Sequence, residues 1–160
     1  MDNALAGKVA LVTGAGRGAG RRVAHGLARL GAAVAANDVT PVNLDETLAA
    51  IRSEAGQARG YVADLARKMP VQSLIQQVLD ELGRLDVLVN CAEVEPQRAV
   101  LEMDDWDWQR TLDVNLRGAM LAEADLSGAD LQGADLTDAD LRRTRLRRAA
   151  VDAATKLDAA

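Results

Sequence analysis

Short apolar runs alternate along the chain with segments whose apolar residues recur at helical spacing. The runs fall at residues 8–13, 32–37, 61–63 and 85–89, and they predict four short buried strands. Apolar positions three and four residues apart predict helices over 20–30, 44–55 and 70–82. Strands that alternate with helices form parallel sheets with right-handed connections. The pattern therefore predicts an α/β fold, with a parallel sheet in the strand order 3-2-1-4 and helices on both faces.

The link between the first strand and the first helix is rich in glycine. Residues 13–20 read Thr-Gly-Ala-Gly-Arg-Gly-Ala-Gly. A glycine-rich turn lets the backbone approach a pyrophosphate closely, and the N–H groups at the start of the next helix then face the phosphates. A glycine motif alone is weak evidence. Here a strand precedes it, a helix follows it, and Asp38 ends the next apolar run, so the implied ligand is a dinucleotide.

The spacing of Thr13, Gly14, Gly18 and Gly20 resembles the short-chain dehydrogenase/reductase family more closely than the general Rossmann glycine pattern. The resemblance covers about residues 5–120, which we expect to form an incomplete NAD(P)-binding Rossmann-like domain over residues 1–118. It implies a nicotinamide cofactor and a hydride transfer to or from an alcohol or carbonyl substrate. The positions at which it implies cofactor contacts are Thr13, Gly14, Arg17, Gly18, Gly20, Asp38, Asp64, Leu65, Asn90 and Ala92.

Two charged residues bear on the choice between NAD and NADP. The Asp38 carboxylate could accept hydrogen bonds from the ribose hydroxyls of the adenosine, and it would repel a 2′-phosphate. Arg17 argues the other way, because in some members of the family a basic residue in the glycine loop meets the 2′-phosphate. We give Asp38 more weight, since repulsion between like charges is hard to accommodate, and expect NAD rather than NADP.

The resemblance is incomplete around the active site. Asn115 matches the helix asparagine of the family's catalytic tetrad, which supports the other members through a bound water. The serine and the Tyr-x-x-x-Lys that perform proton transfer in the family have no counterparts here, because the one tyrosine, Tyr61, lies in the third predicted strand. Glu93 stands where the family has a glycine, and its carboxylate would crowd or repel the cofactor. Trp106 and Trp108 are expected to pack rather than to stack on a ligand.

A repeat of five residues replaces the rest of the pattern. Residues 124–143 are four successive Ala-Asp-Leu-x-x units, and looser units follow. A period of five fits neither a strand nor a helix. It resembles the pentapeptide-repeat family, which implies a right-handed β-helix with the leucines inside, over residues 119–157. The alternative is a helix rich in alanine and leucine that continues from Asn115, but Gly128 and Gly133 argue against it.

Composition adds limits on partners and location. The 160 residues are 49% hydrophobic, carry a net charge of −5 and contain one cysteine and one histidine. We expect a cytoplasmic protein without a membrane span, a metal site or a nucleic-acid partner. Stacked repeats need neighbours to cover their faces, so a second copy of the chain or a partner chain is expected at the repeat surface or at the open edge of the sheet.

Three functions remain open at this stage. The first is an NAD(P)-dependent oxidoreductase of the short-chain family, although we expect no ordinary turnover from the isolated chain. The second is a non-catalytic dinucleotide-binding or scaffold protein whose repeat mediates association. The third is a truncated fusion of two families without a joint function, because the pattern changes sharply between Leu116 and Ala124.

Overall fold

The computed structural model describes residues 3–117 and two dipeptides, 135–136 and 156–157. Its strands and helices follow one another as β1 (Val9–Val12), α1 (Gly18–Arg29), β2 (Ala33–Asp38), α2 (Pro41–Ser53), β3 (Ala58–Val62), α3 (Lys68–Leu82), β4 (Val87–Val89), α4 (Asp105–Leu112), β5 (Asp135–Leu136) and β6 (Lys156–Leu157). A 3₁₀ turn at Val100–Glu102 precedes α4, and a π-helical segment, Asp113–Arg117, follows it.

The first four strands form one parallel sheet in the order β3-β2-β1-β4, as the alternating pattern predicts. Val9 of β1 pairs with Ala33 of β2, and Ala10 pairs with Val87 of β4. All of these pairings are parallel. The four strands therefore end at the same edge of the sheet, and the loops that follow them meet there.

Helices cover both faces of this sheet and bury two apolar layers. On one face Leu74, Ile75 and Val78 of α3 pack in a cluster with Leu11. On the other face α1 and α2 bury a second cluster, whose members include Ala24, Val34, Leu44, Leu48 and Ile51. Because the central strands β1 and β2 contribute to both layers, they are mainly apolar runs in the sequence, which is typical of buried parallel strands.

Several boundaries differ from those the pattern predicts. Helix α2, predicted to begin at Leu44, begins at Pro41, a position where the missing N–H of proline costs nothing. Helix α3 begins at Lys68, two residues before Pro70. Strand β3 begins at Ala58, because Gly60 lets Leu44 and Leu48 pack directly over its backbone and so extends pairing into a stretch without an apolar run.

The repeat segment lies largely outside the described residues. The predicted β-helix over residues 119–157 and the boundary at residue 118 therefore stay predictions. Within that segment the structure describes one short parallel pair, in which Asp135 and Leu136 of β5 align with Lys156 and Leu157 of β6.

Candidate functional site

A cleft of about 400 Å³ lies where the four strands of the sheet end. The loops after β1, β2, β3 and β4 all contribute to its walls, together with α4. From the predicted cofactor contacts it is lined by Gly14, Arg17, Gly18, Gly20, Asp38, Asp64, Leu65, Asn90 and Ala92. Ligands of open α/β sheets bind at this edge, and the volume is within the range of small-molecule sites.

Three of the four glycines in the loop after β1, Gly14, Gly18 and Gly20, serve different structural purposes. A Cβ on Gly14 would lie 2.6 Å from the carbonyl oxygen of Cys91, and a Cβ on Gly20 would lie 2.2 Å from that of Gly14. Both positions therefore need glycine for close backbone packing. Gly18 has a φ of +56°, yet a Cβ there would meet nothing within 4 Å. Gly18 faces the cleft, so the space that its missing side chain leaves is open to a ligand.

The first turn of α1 presents unpaired N–H groups to the cleft. The first intrahelical bond runs from the N–H of Arg21 to the carbonyl of Arg17, so the N–H groups of Gly18, Ala19 and Gly20 precede the hydrogen-bonded ladder. Arg17 occupies the N-cap position and its side chain makes no capping hydrogen bond. An uncapped helix start with three free donors is suited to an anion.

Two residues that the sequence analysis did not identify hold this loop in place. The Thr47 hydroxyl, fully buried on α2, donates to the carbonyl oxygen of Ala15 at 2.9 Å. Arg21 donates through Nε to the carbonyl oxygen of Gly16 at 2.9 Å and to the Thr47 hydroxyl at 3.0 Å. The loop carbonyls are thus bound towards α2. Arg21 follows the last glycine directly, and that position is the signal that could have identified it.

The Asp38 carboxylate lies at the end of β2 and is fixed by the backbone. One oxygen accepts the N–H of Gly16 at 2.8 Å, and the other accepts the N–H of Thr40 at 2.9 Å. A carboxylate oxygen can accept more than one hydrogen bond, so Asp38 keeps capacity for a ligand. Arg17 is exposed and also lines the cleft.

An ion pair closes the cleft on the side of β3. Asp64 accepts a hydrogen bond from Arg110 of α4 at 2.9 Å and another from the N–H of Ala66 at 3.0 Å. Burial raises the pKa of the Asp64 carboxyl, but these hydrogen bonds and the charges of Arg110 and Arg67 outweigh burial, so the pKa lies below its usual range. Asp64 is therefore an anion at neutral pH, and Arg110 is a second cleft residue that sequence reasoning missed.

The loop after β4 is attached to β1 by Thr13. The Thr13 hydroxyl accepts the N–H groups of Cys91 at 3.0 Å and Ala92 at 3.2 Å, and its residue is only 3% exposed. Thr13 does not line the cleft, and its hydrogen bonds position Cys91 and Ala92, both of which line it. Burial, and then the negative charge of Glu93, raise the pKa of the Cys91 thiol, which makes it a poor nucleophile at neutral pH.

Asn115 lies in a second cleft of about 410 Å³, which shares Glu93 and Val94 with the first. Its side-chain oxygen accepts the N–H of Val94 at 2.8 Å, and its side-chain nitrogen donates to the Val94 carbonyl at 2.9 Å. Asn115 thereby connects the π-helical segment to the loop after β4. Its predicted supporting role in catalysis stays a prediction.

The expectation that Trp106 and Trp108 pack is wrong. They are 68% and 57% exposed, respectively, so they do not pack in the described core. Trp108 also lines the second cleft.

Tyr61, the one tyrosine of the sequence, lies outside both clefts. It is 5% exposed and packs with α3, and its hydroxyl donates to Glu81 at 3.1 Å. Burial, and then the hydrogen bond to Glu81, raise its pKa to about 12. Tyr61 is therefore neither placed nor poised for proton transfer in the cleft.

The described residues fit a dinucleotide. The open space at Gly18 and the three unpaired N–H groups suit a pyrophosphate, and Asp38 beside them suits a ribose. No group of metal-ligating side chains is present in the part of the chain that the structure describes. No helix in that part is long and apolar enough to cross a membrane.

The parallel sheet and its glycine loop define a dinucleotide-binding α/β domain of the Rossmann type. The short chain dehydrogenase family model matches residues 8–129, and the chain belongs to that family. A model of pentapeptide repeats matches residues 113–148 in eight copies. The repeat resemblance is thereby confirmed, and family membership implies a nicotinamide dinucleotide as cofactor.

Curated relatives match the same part of the chain. The short-chain reductase protein NovJ of Streptomyces niveus is 46% identical over 112 residues, which are 70% of this chain and 43% of that protein. The D-threitol dehydrogenase of Mycolicibacterium smegmatis is 39% identical over 121 residues, 76% of this chain and 46% of that enzyme. The chain thus spans about half the length of the curated relatives it matches.

Solved structures agree with the fold. A metagenomic short-chain oxidoreductase in complex with NADP has a TM-score of 0.69 at 33% identity, with 72% of this chain and 53% of that one covered. A short-chain alcohol dehydrogenase described as putative, from Sinorhizobium meliloti 1021, has the same TM-score of 0.69 at 36% identity, with 74% and 47% covered.

Proposed function

We propose that this chain binds a nicotinamide dinucleotide in the cleft at the ends of β1 to β4, as the cofactor-binding part of a short-chain oxidoreductase. The observation that carries the proposal is Gly18, whose positive φ, open surroundings and place beside three unpaired N–H groups have no use in the packing of the chain itself. The bound cofactor supplies hydride transfer to or from an alcohol or carbonyl substrate.

Different residues of the cleft bind different parts of the cofactor. The N–H groups of Gly18 and Ala19 hold the pyrophosphate, while Arg21 and Thr47 keep the loop carbonyls turned away from it. Asp38 accepts the ribose hydroxyls, and Asp64 and Leu65 border the adenine. Asn90 and Ala92 border the other half of the cofactor, with Thr13 and Asn115 positioning their loop.

NAD is the proposed cofactor rather than NADP. The Asp38 carboxylate is fixed by two backbone N–H groups, so it cannot turn away from a 2′-phosphate without losing both hydrogen bonds. The Arg17 side chain is exposed and makes no hydrogen bond with the described residues, and it would attract that phosphate. A fixed charge at the ribose outweighs a mobile one at the rim, because a long exposed side chain loses rotamer entropy when it binds.

A calorimetric titration with NAD tests the site, using Gly18→Leu and Gly7→Leu as a matched pair. Gly7 also has a positive φ, of +74°, and open surroundings, but it precedes β1 at the opposite edge of the sheet. Both variants carry similar backbone strain, and only Gly18→Leu fills the cleft. We expect it to weaken NAD binding by roughly 100-fold, since about two charge-assisted hydrogen bonds are lost. Unchanged affinity in Gly18→Leu would refute the site.

A second candidate function is cofactor binding without turnover by these 160 residues alone. The position of Tyr61 favours it, because the one tyrosine of the sequence is buried against α3 and bonded to Glu81 instead of facing the cleft. Saturable NAD binding with no oxidation of simple alcohols would support this candidate, whereas measurable turnover would support the oxidoreductase.

A further inference from the structure

The strand order decides which part of the cleft each half of a dinucleotide meets. The phosphate-binding loop follows β1, which lies between β2 and β4 in the sheet. Asp38 ends β2, so an adenosine ribose bound by Asp38 directs the adenosine half towards β2 and β3. The nicotinamide half then extends in the other direction, towards the loop that follows β4.

Glu93 is the acidic residue of that loop. It is exposed, and it borders both the first and the second cleft. Among the described residues its carboxylate has no hydrogen-bond or salt-bridge partner, unlike Asp64, which is paired with Arg110 across the cleft. Its charge reaches into the cleft, since it contributes, after burial, to the raised pKa of the Cys91 thiol. Within residues 3–117, a negative charge without an ion-pair partner therefore stands at the nicotinamide side.

The two redox forms of the cofactor differ in charge at this same end. The oxidised nicotinamide ring carries one positive charge, and the reduced ring is neutral. We propose that Glu93 is a specificity-determining residue that favours the oxidised cofactor over the reduced one. The proposal rests on the proposed cofactor site. It also gives the glutamate at this position a role other than crowding the ligand.

The expected size of the effect follows from exposure. Ion pairs between exposed groups contribute up to about 1 kcal/mol, which corresponds to a preference of about two- to fivefold. The preference is electrostatic, so it shrinks as the salt concentration rises.

The test compares the dissociation constants of NAD⁺ and NADH for the full chain, for Glu93→Gln and for Glu95→Gln. Glu95 is exposed like Glu93 and lies two residues away, but it borders only the second cleft. Both variants remove one negative charge. We expect Glu93→Gln to lower the preference for NAD⁺ by about two- to fivefold, mainly through weaker NAD⁺ binding, and Glu95→Gln to leave the preference unchanged.

Each outcome has a definite meaning. An unchanged ratio in Glu93→Gln, with both cofactors still bound, overturns the role of Glu93 and leaves the cofactor site intact. An equal fall of the ratio in Glu95→Gln shows a general surface-charge effect and also overturns it. Failure of the folded wild-type chain to bind either form overturns the cofactor site and, with it, this inference.

Discussion

Thr47 offers the sharpest test of how the glycine loop is held. Its hydroxyl is fully buried and accepts from Arg21 Nε at 3.0 Å. Its one proton has two acceptors in reach, the carbonyl oxygens of Ala15 at 2.9 Å and of Asn43 at 3.1 Å, and we assign it to the nearer one, Ala15. Thr47→Val keeps the shape of the side chain and removes only these hydrogen bonds. Arg21 retains its bond to Gly16, so the carbonyl of Ala15 is the group that loses its partner from α2.

The magnitude follows from that buried acceptor. Leaving a buried polar group without its hydrogen bond costs about 1–3 kcal/mol. With an unfolding slope of about 2 kcal/mol per molar urea, the urea midpoint should fall by roughly 0.5–1.5 M. The Ala15 carbonyl is also no longer fixed by α2, so the neighbouring N–H groups are held less firmly in the phosphate direction. We expect NAD affinity to fall by about tenfold.

Thr47→Ser separates the two effects. It retains the hydroxyl and loses one methyl group, so it should destabilise the chain by about 1 kcal/mol while binding NAD as the wild type does. Urea unfolding and calorimetric titration on the three proteins measure both quantities. Wild-type stability and affinity in Thr47→Val, or an equal loss of affinity in Thr47→Ser, would refute the reasoning.

Two further predictions concern charge. Asp38→Asn removes the charge that repels a 2′-phosphate, so the affinity for NADP relative to NAD should rise roughly five- to tenfold. Arg17→Gln should move the same ratio in the opposite direction. Calorimetric titration with both cofactors measures the ratio, and a ratio that Asp38→Asn leaves unchanged contradicts the assignment to NAD. Tyr61 should ionise near its raised pKa of about 12, whereas the tyrosine of the unfolded chain ionises near 10. The contribution of this burial to stability is therefore complete below about pH 10 and is lost as the pH rises towards 12. Ultraviolet absorbance follows this single phenol directly, and a midpoint near 10 in the folded chain would contradict its burial against Glu81.

Much of the fold was predictable because it depends on short-range pattern. The two central strands, β1 and β2, are buried on both faces, and a strand buried on both faces must be apolar at nearly every position. The alternation of strands with helices then predicts parallel pairing, which is confirmed with the order β3-β2-β1-β4. The boundary of β3 was not predictable, because Arg59 and Gly60 interrupt the apolar run and only the packing of α2 shows why they belong to the strand.

The contacts that shape the site were less accessible to sequence reasoning. Arg110 and Asp64 are 46 positions apart, and Arg21 and Thr47 are 26 apart. Nothing local in the sequence links the members of either pair, because the two partners come together only when the helices pack on the sheet. Trp106 and Trp108 show the converse, since large apolar residues read as core and yet lie exposed on α4.

The sequence by itself therefore determined the class of fold, the family and the position of the dinucleotide loop, since glycine spacing and apolar period are local properties of the backbone. Only the tertiary structure decided what each glycine is for, and which side chains hold the loop. Gly14 and Gly20 are required by neighbouring backbone, whereas Gly18 has open space on the cleft side where a side chain would stand. That distinction depends on distances between β1, α1 and the loop after β4, which exist only once the strands have paired.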